Sequence, residues 1–230
     1  MKLFSIFLSL MLSNQLFAST PMVKRVPVSG VFSPRGYDTS DNSEVVISGY
    51  LPNSCHQNPN VKVEIDNKKI KLVMTSFFYG EGNPYCTEAI MPFVKTIPLG
   101  NLDKGDYEVV VNEGSPSETH GEFTVAAERD DRRRDQIFAN VEYIEKAPDE
   151  GVIRLKGHNP SDCFVLDEVR VLNNGENTLT VFPLMKKVGD LCTMKMTPFT
   201  YEIEIPDFDY TEQNLIHVRS MYGDSVNTIL

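Results

Sequence analysis

The chain contains one short pattern of residues twice. Gly, Pro and Cys occupy the first, fourth and seventh positions of residues 49–55, and they occupy the same positions of residues 157–163. Residues 86–93 begin with Cys-Thr and end with Pro-Phe, and residues 192–199 do the same. Seven identities at matching spacings indicate an internal duplication. The duplication predicts two domains of roughly 100 residues each.

All four cysteines of the chain belong to the repeated pattern, two in each copy. Four cysteines allow three disulfide pairings. The register of the repeat favours Cys55–Cys86 and Cys163–Cys192, because each copy then carries its own bridge. Closing a loop of about 30 residues should stabilise each domain by roughly 3–4 kcal/mol on the loop-entropy account. A zinc site would need close ligand pairs such as Cys-x-x-Cys, and the sequence has none.

The first residues have the features of a secretory signal peptide. Lys2 precedes an apolar run at residues 3–12, and a cleavage site is expected after Ala18. The run is too short for a membrane span, and no cysteine follows the cleavage site for a lipid anchor. We therefore expect a periplasmic or secreted protein without a transmembrane segment. The predicted division is a signal peptide at 1–18, a first domain at 19–126, a charged linker at 127–136 and a second domain at 137–230.

Short alternating segments predict β-strands throughout both domains. Val61, Val63 and Ile65 alternate with charged residues, a period of two that places one set inward and the other in water. The tight turn 66–68 follows, and the second domain has the corresponding turn at 173–175, where Asn-Gly predicts a two-residue hairpin. We expect about seven short strands in each domain. The predicted fold class is all-β, with two tandem immunoglobulin-like antiparallel β-sandwich domains, each with one internal disulfide.

The first domain resembles a repeated disulfide-bonded β module of uncharacterised exported bacterial proteins. The resemblance rests on Gly-x-Leu-Pro-x-x-Cys at 49–55, Cys-Thr-x-x-x-x-Pro-Phe at 86–93, Ile-Pro-Leu at 97–99 and Gly-x-Tyr-x-Val-x-Val-Asn at 105–112. It covers most of residues 44–125. The second domain keeps only the Gly-Pro-Cys and Cys-Thr-Pro-Phe residues. The resemblance implies a disulfide-bonded β module of the bacterial envelope and implies no activity.

No residue pattern in the sequence is typical of a catalytic site. The chain lacks the nucleophile, zinc-protease and phosphate-loop motifs, and its cysteines are assigned to bridges. We therefore predict a protein that is not an enzyme and that needs no cofactor and no metal. The formal net charge of −10 disfavours nucleic acid and anionic lipid as partners.

Two groups of acidic residues allow two interpretations. Loop carboxylates could bind calcium, but aspartates more often occur in turns for backbone reasons. The two groups are Asp38, Asp41 and Glu44, and Asp207, Asp209 and Glu212.

Four aromatic residues before the second cysteine are the candidate binding residues: Phe77, Phe78, Tyr79 and Tyr85. Strand spacing requires two of them to point inward, and the others could form an exposed patch for a protein or a glycan of the envelope. The corresponding segment 184–189 of the second domain has no aromatic residue. We expect an exported, non-catalytic binding or structural module. The alternative is an extracytoplasmic protease inhibitor that presents loops from a β-sandwich.

Overall fold

The computed structural model describes residues 20–80, 85–128, 137–147, 151–205 and 213–230. The predicted signal peptide, most of the predicted linker and the acidic group at 207–212 lie outside these residues. The described residues form β-strands, joined by turns and one short 3-10 turn at Met221–Gly223. The all-β prediction is therefore confirmed.

The first module is a sandwich of two sheets. Its strands are β1 (Met22–Arg25), β2 (Val28–Phe32), β3 (Tyr37–Asp38), β4 (Ser43–Leu51), β5 (His56–Asp66), β6 (Lys69–Phe78), β7 (Met91–Gly100), β8 (Gly105–Val111) and β9 (Thr119–Ala126). One sheet has the order β5-β6-β8-β9-β3, with β1 paired to the end of β6, and the other has the order β2-β4-β7. Both sheets contribute to one core, which includes Ile47, Leu72, Ile97 and Phe123.

The second module repeats this arrangement. Its strands are β10 (Ile137–Phe138), β11 (Val141–Ala147), β12 (Val152–Asn159), β13 (Phe164–Asn173), β14 (Thr178–Lys187), β15 (Thr197–Glu204), β16 (Leu215–Arg219) and β17 (Ser225–Ile229). One sheet has the order β13-β14-β16-β17 with β10 paired to β14, and the other has the order β11-β12-β15. The two modules thus share their strand pairings, apart from the additional β3 of the first. The duplication seen in the sequence is also a duplication of topology.

Each module contains a parallel strand pair that the sequence did not predict. β8 runs parallel to β6, and β16 runs parallel to β14. In each case one strand of the opposite sheet, β7 or β15, lies between the two in sequence. That strand returns the chain to the end from which β6 or β14 began, so the next strand runs in the same direction.

The repeated glycine and phenylalanine are packing partners across neighbouring strands. Gly49 pairs with Phe93, and Gly157 pairs with Phe199. A Cβ at Gly49 would lie 2.5 Å from the carbonyl oxygen of Pro27 and 2.7 Å from the Phe93 ring. At Gly157 the corresponding distances are 2.0 Å, to a backbone carbonyl oxygen, and 2.9 Å, to the Phe199 ring. Only glycine fits either position, so these identities preserve the packing of the module.

The disulfides are those that the repeat predicts. Cys55 is bonded to Cys86, and Cys163 is bonded to Cys192. In both modules the bridge joins the connection before β5 or β13 to the connection before β7 or β15. Each bridge therefore ties the two sheets of its own sandwich together at one end.

Two local predictions differ from the structure. Val63 and Ile65 are 36% and 39% exposed, because β5 pairs only with β6 and forms the edge of its sheet. The loop between β13 and β14 has four residues, 174–177, in place of a two-residue turn. The Asn174 side chain accepts hydrogen bonds from the backbone N–H groups of Glu176, Asn177 and Thr178, which stabilises the longer loop.

Candidate functional site

Phe77 and Phe78 end β6 and do not form a free aromatic patch together. Phe77 is 38% exposed and lies opposite Val23 of β1. Phe78 is half-buried, and its ring centroid lies 4.7 Å from the ring centroid of His56. The Lys24 ammonium lies over the face of the Phe78 ring, 3.8 Å from its centroid. Phe78 therefore contributes to packing at the strand end.

Tyr79 and Tyr85 differ in exposure. Tyr79 is half-buried, and its backbone N–H donates to the carbonyl oxygen of Cys55 at 2.9 Å. Tyr85 is 83% exposed and directly precedes the bridged Cys86. Residues 81–84 lie outside the described residues. Of the four predicted binding residues, Tyr85 offers the largest exposed fraction.

In both modules an exposed side chain with a large apolar part directly precedes the second cysteine. Leu191 precedes Cys192 there and is 98% exposed. Four residues after the second cysteine, Ile90 of the first module is 67% exposed and Met196 of the second is 62% exposed. We call these four residues the bridge positions. Leu191 and Met196 are not aromatic, so the aromatic pattern that marks the first module in the sequence is absent from the second.

The backbone at the bridge positions is held in the same way in both modules. The residue before the first cysteine, Ser54 or Asp162, accepts a hydrogen bond from the backbone N–H of the threonine that follows the second cysteine, at 2.9 Å and 3.0 Å. In the second module the Asp162 carboxylate also accepts from the Thr193 hydroxyl. The hydrogen bonds from Thr193 lower the pKa of Asp162. The exposed apolar side chains therefore extend from an anchored loop.

The first acidic group lies at the contact between the two modules. Asp41 accepts a hydrogen bond from Arg219 of β16 at 2.9 Å, and Glu44 accepts one from the Ser225 hydroxyl. Asp38 is buried and accepts from the backbone N–H of Ser40 at 2.9 Å. These carboxylates thus bond to protein groups, and the described residues contain no group of histidine, cysteine or acidic side chains arranged to hold a metal ion.

A buried histidine lies at the centre of this contact. The Tyr37 hydroxyl lies 3.2 Å from His217 Nε2, and His217 Nδ1 lies 2.8 Å from Asn227 Oδ1. Burial, with a smaller contribution from the charge of Arg219, lowers the pKa of His217 to about 3, although the hydrogen bond with Asn227 opposes this shift. The imidazole is therefore neutral at physiological pH, and its 3.5 Å approach to Glu44 is not an ion pair. Burial also raises the pKa of Glu44.

Apolar residues complete the contact between the modules. Phe32 and Val46 of the first module form one buried cluster with Leu215 of the second, and Ile229 packs against it. Asn227 also donates to the Thr96 hydroxyl at 3.0 Å. The junction therefore combines an apolar cluster with buried hydrogen bonds, in addition to the covalent connection through the predicted linker.

Among the described residues, His56 lies beside the hydroxyl group of a serine. His56 Nδ1 lies 2.6 Å from Ser76 Oγ, and both side chains are buried. Burial, followed by the charge of Lys24, lowers the pKa of His56. This contact was not evident from the sequence, where the two residues lie 20 positions apart.

The comparisons with known proteins concern the first module. A family model described as the ORF11 beta-sandwich domain matches residues 45–125, from β4 to β9. No curated protein matches the chain, and no solved structure matches it. Within the described residues, no helix has the length and apolar character to cross a bilayer. The class defined by the fold and the match is a disulfide-bonded β-sandwich protein.

Proposed function

We propose that the chain is an exported, non-catalytic binding protein of the bacterial cell envelope, which contacts a partner protein through its bridge positions. The observation that carries the proposal is the matched exposure of Tyr85 and Leu191 and of Ile90 and Met196. A single exposed apolar residue is ordinary on a protein surface. Recurrence at two aligned positions of two modules is not explained by core packing, and exposed apolar residues often mark interaction sites.

Three further features support this proposal. The predicted signal peptide directs the chain out of the cytoplasm, and two disulfides suit an oxidising compartment. The junction around His217 orders the two modules relative to each other, which reduces the conformational entropy lost when both contact one partner. Aliphatic Leu191, Met194 and Met196 on the second module suit an apolar protein surface better than a sugar ring. The proposal requires no cofactor.

Site-specific photocrosslinking in intact cells tests the contact surface. A photoreactive phenylalanine derivative replaces Tyr85 in one strain and Leu191 in another. Tyr143 is the control position, because it is also 59% exposed but lies within β11 and not in a connection that carries a bridged cysteine. We expect the same protein to be crosslinked from positions 85 and 191 and not from 143. Equal labelling at all three positions, or none at 85 and 191, would contradict the proposal.

The same strains test export and the alternative class of function. We expect the chain in the extracytoplasmic fraction, with a mature N-terminus after Ala18. A cytoplasmic chain that retains residues 1–18 would contradict export. If the crosslinked partner is a protease that the purified chain inhibits, the protein is an inhibitor and not a structural binding module.

A further inference from the structure

β5 forms one edge of the larger sheet in the first module. Among the described residues it pairs only with β6, and this pairing is regular from Asn60 to Asp66. An edge strand exposes a row of backbone N–H and C=O groups that can pair with a strand of another chain. Residues 60–66 therefore offer a surface to which a further strand can be added.

The backbone groups of Val61 and Val63 point away from β6. Leu72 lies opposite Val63, and its carbonyl oxygen accepts a hydrogen bond at 2.8 Å from the Asn112 N–H, on the side of β8. Met74 lies opposite Val61, and its N–H donates to the Asn112 side chain at 2.9 Å. Hydrogen-bonded and non-hydrogen-bonded pairs alternate along an antiparallel ladder. Val61 and Val63 therefore form the non-hydrogen-bonded pairs and direct their N–H and C=O groups to the outer edge.

The described residues that border the linker lie at the opposite edge of the sheet. The Glu128 N–H donates to the Thr39 hydroxyl at 3.3 Å, directly after β3. Ile137 lines a cavity together with Asp41, which also follows β3. The strands β6, β8 and β9 separate β3 from β5, a distance of about 19 Å at the usual strand spacing. Both ends of the stretch 129–136 are therefore remote from β5.

The bridge also lies far from the centre of β5. The stretch 81–84 ends beside the bridge to Cys55. In an extended chain Cys55 lies about 25 Å from Val63, and four residues cannot cover that distance in both directions. The two other internal stretches outside the described residues, 148–150 and 206–212, follow strands of the second module. None of these stretches is bordered by residues beside Val63.

The sequence of β5 is complementary to itself in an antiparallel pair centred on Val63. Lys62 of one copy then lies opposite Glu64 of the other, and Val61 lies opposite Ile65. Opposite charges directly across an antiparallel pair are favourable, whereas like charges are unfavourable. The side chains of Lys62 and Glu64 are both exposed. A pair centred on Lys62 or on Glu64 would instead place that residue opposite its own copy, so the charges favour Val63 as the centre.

The other long edge strands are less suited to such pairing. β7 and β15 contain Pro92 and Pro198, and proline has no N–H to donate to a neighbouring strand. β13 has a register shift between Leu166 and Glu168, and β11 has a similar shift. Irregularities of this kind twist an edge away from a second strand. β5 thus combines a regular edge with a self-complementary sequence.

We propose that two copies of this chain associate through β5, paired antiparallel about Val63, so that the larger sheets of the two first modules become continuous. Each dimer then contains two pairs of Lys62 with Glu64 across the interface. Pairing of a single strand buries less area than a permanent interface, so the dimer is weak and depends on concentration. None of the bridge positions lies on β5. The inference therefore goes beyond the proposed function and can fail without affecting it.

Sedimentation equilibrium of the chain spanning residues 19–230 tests the association. We expect a monomer–dimer equilibrium with a dissociation constant on the order of 100 µM. Lys62→Glu places like charges opposite each other at two points of the dimer and should weaken association at least about tenfold. The control Lys104→Glu changes the net charge equally at an exposed position between β7 and β8, and it should change the association by less than about twofold.

A mixture of two variants separates the proposed pairing from a loss of folding. Glu64→Lys alone should weaken association as Lys62→Glu does. In an equimolar mixture of the two variants each substituted position faces an opposite charge, so a heterodimer should form with about the wild-type affinity. A monomeric wild type up to about 500 µM, equal effects of Lys62→Glu and Lys104→Glu, or no association in the mixture would each overturn the proposal.

Oxidative crosslinking of cysteine variants tests the register. In the proposed pair the two Val63 Cα atoms lie about 5.5 Å apart, within the range that a disulfide spans. The two Lys62 Cα atoms are offset diagonally by about 8 Å, which is beyond that range. Val63→Cys should therefore form covalent dimers at least about fivefold faster than Lys62→Cys. Equal rates for the two variants would overturn the proposed register.

Discussion

The buried imidazole of His217 should make the folding stability depend on pH. In the unfolded chain this side chain has its ordinary pKa of about 6.5. In the folded protein, burial among Tyr37, Glu44, Arg219 and Asn227 lowers the pKa of His217 to about 3. Between these two values the unfolded chain binds the additional proton. The free energy of unfolding should therefore fall as the pH decreases from about 6.5 toward 3.

The magnitude follows from these two pKa values. At pH 5 the folded imidazole is still neutral, whereas the unfolded imidazole is almost fully protonated. His217 should therefore lower the free energy of unfolding by about 2 kcal/mol between pH 7 and pH 5. His56, whose pKa burial also lowers, changes the stability in the same direction. Carboxyl groups also make the free energy of unfolding depend on pH. The contribution of His217 is therefore the difference in pH dependence between the wild type and a variant without this histidine.

Urea unfolding at pH 7 and pH 5, compared between the wild type and His217→Gln, isolates this contribution. Glutamine keeps hydrogen-bonding groups toward Tyr37 and Asn227 but does not titrate. We expect the pH-dependent loss of stability to be about 2 kcal/mol smaller in His217→Gln than in the wild type. The control His120→Gln removes an exposed histidine that pairs with Glu118, and it should retain most of the wild-type difference. Equal pH dependence in His217→Gln and the wild type would refute the argument.

Two further stability predictions use the same unfolding measurement. Replacing Cys163 and Cys192 with serine should lower the free energy of unfolding by about 3 kcal/mol, because the unfolded chain gains the entropy of an open loop. An unchanged free energy of unfolding would mean that the bridge is not closed in the native protein. Leu215→Ala should cost about 2–5 kcal/mol, because the fully buried side chain packs between both modules against Phe32 and Val46. A loss below about 1 kcal/mol would show that this cluster does not join the modules in solution.

The sequence predicts the features that depend on local pattern and on the repeat. Alternating apolar residues predict β6, where Ile70, Leu72 and Met74 are buried. The register of the repeat predicts both disulfides, because matching cysteines occupy matching connections. The glycine and phenylalanine of the repeat were visible as identities, but their contact across neighbouring strands became clear only from the pairing of Gly49 with Phe93.

The features that the sequence did not predict depend on distant parts of the chain. Tyr37 and His217 are 180 residues apart, and neither belongs to the repeated pattern, so the junction had no local signal. Asp41 also had no local signal for its partner. Its spacing in the sequence grouped it with Asp38 and Glu44, whereas in the structure it accepts a hydrogen bond from Arg219. Leu191 had a signal, because it aligns with Tyr85 in the repeat. Its exposure, however, is a property of the folded loop that the sequence does not show.

The central claim is that the bridge positions of both modules bind one partner. The most direct measurement is the affinity of the crosslinked partner for the double variant Tyr85→Ser, Leu191→Ser, compared with Tyr143→Ser and the wild type. Truncation of interface anchors commonly costs about 2 kcal/mol or more, so we predict a loss of affinity of at least about tenfold for the double variant at an unchanged melting temperature. Tyr143→Ser should bind like the wild type. Wild-type affinity of a correctly folded double variant would contradict the account.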